Sequence, residues 1–179
     1  FLNLYESINQ ATMFGTLVIT DQANLVNLIP LTGKERLWFK LTTPGATGPE
    51  DAIDATPNTG YPFHLYKLSS RQEVEHNVSS YILHFGTREF VRNIRTKVSQ
   101  AYEGEISASA LKILKDEQVL DSKKPVMFEP TRNADKIVIP NMPPLKAIGL
   151  LADRALSKNG EGAGYYFYET TKGFFFRSW

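Results

Sequence analysis

Short runs of alternating apolar and polar side chains fill the first 86 residues, and this period is typical of antiparallel β-strands. The runs are LNLYESI, TLVITD, RLWFKLTT, FHLYKLSSRQEVE and VSSYILHFG. Turn residues such as Pro30 and Gly33 separate them. Residues 43–62 are rich in Gly, Pro, Thr and Asp and show no strand or helix period, so they predict a long loop. The strands around this loop predict a small barrel or sandwich.

Helical spacing replaces the alternation after Gly86. TREFVRNIRTKVSQAY predicts a first helix, with Thr87 as its cap. Its expected apolar stripe is Phe90, Val91, Ile94 and Val98. EISASALKILKDEQ predicts a second helix with Ile106, Ala110, Ile113 and Leu114 directed inward. PNMPPLKAIGLLADRALS predicts a third, capped by Asn141, with Leu145, Ile148, Ala152 and Ala155 directed inward.

Short strands are expected between and after these helices. KKPVMFEPT and DKIVI have the composition of strands, and the chain closes on a hairpin whose turn uses Gly173 at a positive φ. The predicted class is therefore α+β, with an N-terminal antiparallel β-barrel and a small α+β domain that ends in an aromatic β-hairpin. Residues 1–100, with the loop at 43–62 and a C-terminal helix, form the first predicted domain, and residues 101–179 form the second.

Composition narrows the classes of function. Hydrophobic residues make up 42% and charged residues 22%, as in a globular protein. A net charge of +1 lacks the basic excess that is usual for a nucleic-acid binder. The absence of cysteine excludes disulfides and thiolate metal sites. No apolar run reaches the roughly 18 residues that cross a bilayer, so no membrane binding is expected.

The motifs that suggest chemistry are weak. His64, His76 and His84 lack metal-ligand spacing, and Asp51 and Asp54 lie in the predicted loop, where catalytic carboxylates would not be rigidly held. GEGAG follows a helix and precedes a strand, the reverse of a dinucleotide-binding loop. SALK has a serine–lysine spacing without its partner motifs. We therefore expect no catalytic residue, no cofactor and no metal.

Two groups of residues are candidates for an interface. Arg88, Arg92 and Arg95 share one side of the first predicted helix, opposite its apolar stripe. They form either a solvated face or a contact with an acidic partner or with passing nucleic acid.

Aromatic residues dominate the closing segment YYFYETTKGFFFRSW, and they fall on both faces of the predicted hairpin. Tyr166, Tyr168 and Phe175 are the interface candidates there. The third helix can cover only one face, so another segment of a longer chain or another subunit is expected on the second face. The chain begins without methionine and ends in a strand, so both ends are expected to be cuts through a longer protein.

Taken in order, these segments resemble the baseplate hub, or tail-hub, proteins of contractile-tailed, T-even-like bacteriophages. The stretches that carry the resemblance are LNLYESI, GTLVITD, NLIPLTGKERLWFKLTTPG, FHLYKLSS, YILHFGTREFVRNIRTKVSQAYEG, KIVIPNMPPLKAIGLLADRA and GYYFYETTKGFFFRSW. Each is a loose pattern of strand, turn and helix, and none is a catalytic signature. The loop at 43–62 is the least typical part.

The resemblance implies a structural protein of the virion, made in the bacterial host cytoplasm and located in the tail baseplate. Such proteins form a homotrimeric ring in which each subunit contributes two barrels similar to the tail-tube protein. The ring joins the tail tube to the central spike and meets the baseplate wedge proteins, and DNA can pass through its lumen. One barrel is evident here, so the second is expected beyond Trp179.

A second function class stays open from the residues alone. The chain could be a non-catalytic binding module of a tail fibre or of a phage-like secretion apparatus. A binding module should present a pocket with convergent polar groups, whereas a structural adaptor should present flat oligomeric faces. An enzyme is the least favoured class.

Overall fold

The computed structural model describes residues 1–29, 31–42, 44–45, 52–59, 61–75, 78–158 and 164–178, and of Glu75 the main chain only. The fold is α+β, as the sequence predicts, with far more strand than helix. The chain divides into two compact units. Unit 1 contains Phe1–Tyr5 and Phe14–Arg88, and unit 2 contains Glu6–Met13 and Glu89–Trp179.

Unit 1 is built on a curled, half-barrel antiparallel sheet. Its strands, in chain order, are β1 (Leu2–Tyr5), β2 (Phe14–Asp21), β3 (Arg36–Leu37), β6 (Phe63–Glu75) and β7 (Val78–Gly86). Their spatial order is β1-β2-β7-β6-β3, so β1 and β3 are the edges. A short helix, α1 (Leu25–Leu28), lies in the connector between β2 and β3.

Irregular pairing explains why this sheet curls. The register between β6 and β7 shifts at three places, and Ser70 has a positive φ of 53° within one of them. Such bulges bend a strand and increase its local twist. The sheet curls around a group of aromatic rings. The centroid of the Phe85 ring lies 5.2 Å from that of Phe63 and 5.9 Å from that of Phe39. The predicted strands of this half are confirmed, with RLWFKLTT divided into two.

One part of the predicted loop is a strand. β5 (Ala52–Ala55) pairs with β4 (Phe39–Thr42) in a separate two-stranded ribbon. The prediction of a continuous loop over 43–62 is therefore wrong at residues 52–55, where cross-strand partners and the burial of Ala55 outweigh the loop-like composition. Residues 43, 46–51 and 60, including Asp51, lie outside the described residues.

Unit 2 contains the three longer helices and most of the core. They are α2 (Arg88–Arg95), α3 (Ile106–Lys115) and α4 (Pro144–Ala152). The inward residues predicted for the second and third helices are buried, as expected. Asn141 does not cap α4: it belongs to a strand, and Pro143 precedes the first turn instead. A proline suits this place because the first turn leaves its N–H groups without helical acceptors.

The prediction for the first helix is wrong in two respects. The helix ends at Arg95, and Val98 begins β8 (Val98–Glu105). Ile94 is 63% exposed, whereas Glu89 is buried with 2% exposure. The inward side of α2 therefore includes the charged side chain of Glu89, because a buried cation pairs with it, as described below. Of the predicted stripe, Phe90 and Val91 are half-buried and Ile94 faces solvent.

The strands of unit 2 form two small sheets. β8 pairs antiparallel with β10 (Ala134–Met142). β9 (Val126–Phe128), β11 (Tyr165–Thr170) and β12 (Gly173–Ser178) form a three-stranded sheet in the order β11-β12-β9. α3 packs against α4 and β8, and α4 packs against β11. The second unit thus has a continuous core of helices and sheet.

The loop between β1 and β2 belongs to unit 2. Thr12 and Met13 are buried there, and Ala11 packs against the apolar core. Contacts also group residues 89–100 with unit 2, whereas the sequence prediction places them in the first domain. The pairing of β8 with β10 and the burial of Glu89 explain that grouping.

Candidate functional site

The C-terminal hairpin is part of a sheet with two different faces. β11 and β12 pair antiparallel, and Gly173 has the positive φ, 132°, that the sequence predicts. β9 adds to β12 in parallel, which the sequence pattern did not indicate. Tyr165, Phe167, Phe174 and Phe176 point into the core and are buried. Residues that alternate with them form the opposite face.

That opposite face brings the three aromatic candidates together. Tyr166, Tyr168 and Phe175 are each half-buried. The rings of Tyr168 and Phe175 stack at 5.1 Å with an interplanar angle of 4°. Met127 is the register partner of Phe175, and the Arg177 guanidinium lies 5.7 Å from the Phe175 ring centroid. We call Tyr166, Tyr168, Phe175, Met127 and Arg177 the outer aromatic face. Its role as an interface stays a prediction.

The three arginines do not form one equivalent stripe. Arg92 donates from Nε to the Val119 carbonyl at 2.9 Å and from a terminal nitrogen to the Glu117 carbonyl at 2.7 Å. Arg88 is half-buried, and only Arg95 is exposed. Arg92 therefore fastens α2 to the segment after α3. The interface role of the set stays a prediction, but the donors of Arg92 already have acceptors within unit 2.

Three ionised side chains meet behind the outer aromatic face, in the interior of unit 2. Glu89 comes from α2, Lys124 from the segment before β9, and Glu169 from β11. Lys124 forms ion pairs with both carboxylates, at 3.4 Å to Glu89 and in direct contact with Glu169. Their exposed fractions are 2%, 9% and 0%. We call these residues the buried charge cluster.

Neighbouring groups donate further hydrogen bonds to the carboxylates of the cluster. Ser122 Oγ donates to Glu89 at 2.6 Å, and the Met13 N–H donates to Glu169 at 2.9 Å. Lys115 Nζ donates to the carbonyls of Ser122 and Lys124, at 3.0 and 2.7 Å. The cluster therefore joins α2, the β1–β2 loop, the end of α3, the approach to β9 and β11 at one point.

The cluster contains two carboxylates and one ammonium, and this imbalance shifts its pKa values. Burial raises the pKa of Glu169 to about 6; Lys124 opposes this shift, and Glu89 adds to it. Burial lowers the pKa of Lys124, but Glu169 and Glu89 outweigh burial, so the pKa of Lys124 is raised. Lys124 thus stays charged, while the Glu169 carboxylate takes up a proton near pH 6.

The first prediction concerns pH. Because the folded pKa of Glu169 lies above its ordinary value of 4.5, its protonation stabilises the fold below pH 4.5, and this contribution is lost as the pH rises through about 6. The free energy of unfolding should fall by about 2 kcal/mol over this window in the wild type relative to Glu169→Gln. Urea unfolding at several pH values measures it.

Glu103→Gln is the matched control, because the Glu103 side chain is 77% exposed and pairs with Lys136 at the surface. Its pH profile should follow the wild type. Identical profiles for Glu169→Gln and the wild type would contradict a raised pKa at Glu169.

Strand periodicity in the sequence contains a signal for this cluster. Glu169 alternates with Tyr165 and Phe167 on β11, so strand periodicity places it on the buried face. A buried carboxylate needs a cation or several donors. The sequence pattern does not show that Lys124 is the cation. Lys124 reaches Glu169 because β9 pairs in parallel with β12, and these strands are distant in sequence.

Of the candidate histidines, His84 has the clearest contact. Its Nε2 lies 2.7 Å from Ser69 Oγ, and its ring centroid lies 6.1 Å from that of Tyr66. A serine–histidine pair acts as a nucleophile and base only where a third group orients the other ring nitrogen. No carboxylate contacts His84 within the described part of the chain. The pair links β6 to β7. His76 lies outside the described residues.

No protein-family model and no curated protein matches the chain. Among the described residues, no group of His, Cys, Asp and Glu side chains is arranged to hold a metal ion. None of the described helices combines the length and apolar character that a bilayer crossing requires.

Proposed function

We propose that the chain is a structural component of a bacteriophage baseplate or tail hub. In this proposal it forms a ring that adapts the tail tube to the central spike. The observation that carries it is the open sheet of unit 1. Its five strands curl like part of a barrel, and its edge strands, β1 and β3, each pair with a single strand among the described residues.

Open sheet edges favour association with further strands. The unpaired N–H and C=O groups of an edge can bond to another chain, and a closed ring satisfies every edge of its members. β1 is four residues long, and Tyr5 at its end is 46% exposed. In the proposed ring, a neighbouring subunit pairs with this edge, and three subunits close the circle. The family resemblance supplies the number of subunits and the tube and spike partners.

The outer aromatic face supports assembly at a second place. Its half-exposed rings lie on a sheet whose inner face is already filled, so they contribute to stability mainly when a partner covers them. Burial of each ring against a partner would stabilise the complex by about 1.5–3 kcal/mol. In this proposal, the face contacts a neighbouring subunit or a further domain of the same protein.

Light scattering on the natural protein at its full length tests the proposal. The wild type should have the mass of a trimer, and the double substitution Tyr168→Ser and Phe175→Ser should shift it toward monomer or loosen the trimer. Val138→Ser is the matched control, since Val138 is 68% exposed on β10, outside the outer aromatic face. A stable wild-type monomer, unchanged by added tail-tube protein, would favour a non-catalytic binding module instead.

A further inference from the structure

β9 is an edge strand of its three-stranded sheet. Within the described residues its only strand partner is β12. An open groove of about 580 Å³ runs beside it. The groove is lined by Val126, Met127, Phe128, Glu129, Arg177 and Ser178.

The hydrogen bonds to β12 establish which backbone groups face the groove. Phe174 N–H donates to the Pro125 carbonyl at 2.9 Å, and Glu129 N–H donates to the Phe176 carbonyl at 2.8 Å. In a parallel ladder, alternate residues direct both backbone groups to the same neighbour. Pro125, Met127 and Glu129 therefore face β12. The N–H and C=O groups of Val126 and Phe128 face the groove.

The side chains around this edge indicate what kind of strand would fit. Val126 and Phe128 are half-buried and pack against the core, so apolar residues beside them would extend that core. On the other face, Met127 is the register partner of Phe175, over which the Arg177 guanidinium lies. A side chain opposite Met127 would therefore be within reach of a cation.

The Arg177 guanidinium is a cation beside the groove. Arg177 has no ion pair among the described residues. Glu129, the acidic residue of the groove, accepts from Ser157 Oγ at 2.8 Å and from the Ser178 N–H at 3.0 Å. These hydrogen bonds, led by the one from the Ser178 backbone, lower the pKa of Glu129 and direct its carboxylate to the end of β12.

We infer that the open edge of β9 binds an extended peptide strand of another protein, with apolar residues beside Val126 and Phe128 and a carboxylate opposite Met127 that pairs with Arg177. Backbone hydrogen bonds supply the affinity of such strand addition, and alternate side chains supply its specificity. The site lies within unit 2 and shares Met127 and Arg177 with the outer aromatic face. Strand addition to β9 does not require the proposed pairing of the β1 edge.

Two capped pentapeptides test this binding on the intact chain. The acidic probe is Thr-Val-Glu-Val-Thr, and the matched control is Thr-Val-Lys-Val-Thr, each added at millimolar concentration. NMR should show slower hydrogen exchange at the Val126 and Phe128 amides with the acidic probe. That probe should bind about two- to fivefold more tightly than the lysine probe, the range of an exposed ion pair. Arg177→Glu should reverse the preference.

A second substitution tests the backbone contact separately. Val126→Pro removes an N–H that faces the groove and leaves the bonds of Met127 to β12 in place, so binding of both peptides should be lost. Val126→Thr keeps the N–H and should still bind.

Three results would overturn the inference. The first is no change at the Val126 and Phe128 amides with either peptide. The second is equal affinity for both peptides in the wild type and in Arg177→Glu. The third is a wild-type dimer that does not bind the peptides and that Val126→Pro dissociates. In that case the strand bound at the β9 edge would belong to a second copy of this chain.

Discussion

Replacement of Lys124 by methionine is expected to lower the free energy of unfolding of unit 2 by about 3–5 kcal/mol. Lys124 is the one cation in contact with Glu89 and Glu169 within the described residues, and both carboxylates are almost fully buried. Without it, two acids share an apolar interior, and at least one must take up a proton or draw water into the core. Removal of one partner from a buried ion pair is costly for this reason.

The measurement is urea unfolding at pH 7, followed by the NMR signals of Ile113 and Ile148, which are fully buried in unit 2. Lys123→Met is the matched control. Lys123 is the neighbouring lysine, its side chain is 66% exposed, and it pairs with Asp121, whose side chain is 15% exposed. A pair whose cation lies in solvent is expected to contribute less than the buried charge cluster. Equal losses for the two substitutions would show that the buried charge cluster does not hold unit 2 together.

The second large effect is expected for Gly173→Ala. Gly173 has a φ of 132°, and an added Cβ would lie 2.3 Å from the Pro125 carbonyl oxygen. The same carbonyl accepts the Phe174 N–H that joins β12 to β9. Backbone strain and the steric clash together should lower the free energy of unfolding by about 3–5 kcal/mol. They should also separate β9 from the sheet.

Gly104→Ala separates these two causes. Gly104 also has a positive φ, 112°, but an added Cβ would meet no atom within 4 Å. The Gly104→Ala substitution should therefore lower the free energy of unfolding only by the backbone strain, about 1–3 kcal/mol. Urea unfolding compares the two variants, and amide exchange at Met127 reports whether β9 stays paired. A Gly173→Ala variant no less stable than Gly104→Ala would contradict the close approach of Pro125.

Local patterns predicted most of the fold. Local patterns identified β2, β6 and β7, and in β7 buried residues alternate with partly exposed ones. Helical spacing identified α3 and α4 and their buried residues, since both pack across the interior of unit 2. The positive φ of Gly173 followed from turn chemistry alone.

The features that the sequence missed depend on contacts between distant residues. β9 was predicted as a strand, but its parallel pairing with β12, almost fifty positions later, was not. β5 lies in a segment with loop composition and is held by β4. α2 directs Glu89 inward because Lys124 is there to receive it, whereas periodicity alone favoured Ile94. In each case, tertiary pairing outweighed local propensity.

The candidate interface was predicted only in part. The outer aromatic face follows from strand alternation, and Tyr166, Tyr168 and Phe175 lie together as the sequence indicated. The arginines were less predictable, because helical spacing cannot show that the backbone carbonyls of Glu117 and Val119 lie next to Arg92. Side-chain donors near loop carbonyls are therefore weaker interface candidates than half-buried rings on a strand face.

The proposed ring also gives the buried charge cluster a role in assembly. Glu169 on β11 bonds to Lys124 and to the Met13 N–H on the inner side of the sheet. These contacts hold in place the sheet that carries the outer aromatic face. A face must be rigid to pack against a partner without further loss of conformational entropy. In the proposal, the cluster therefore supports assembly through the sheet.

Electron cryomicroscopy of the natural full-length protein, mixed with the tail-tube protein of the same phage, tests the proposed ring most directly. The expected result is a closed ring of three copies in which the half-barrel of unit 1 faces the end of the tube, with edge strand β1 paired to a neighbouring subunit. A monomeric particle whose β1 edge stays unpaired and which does not bind the tube would contradict the proposal.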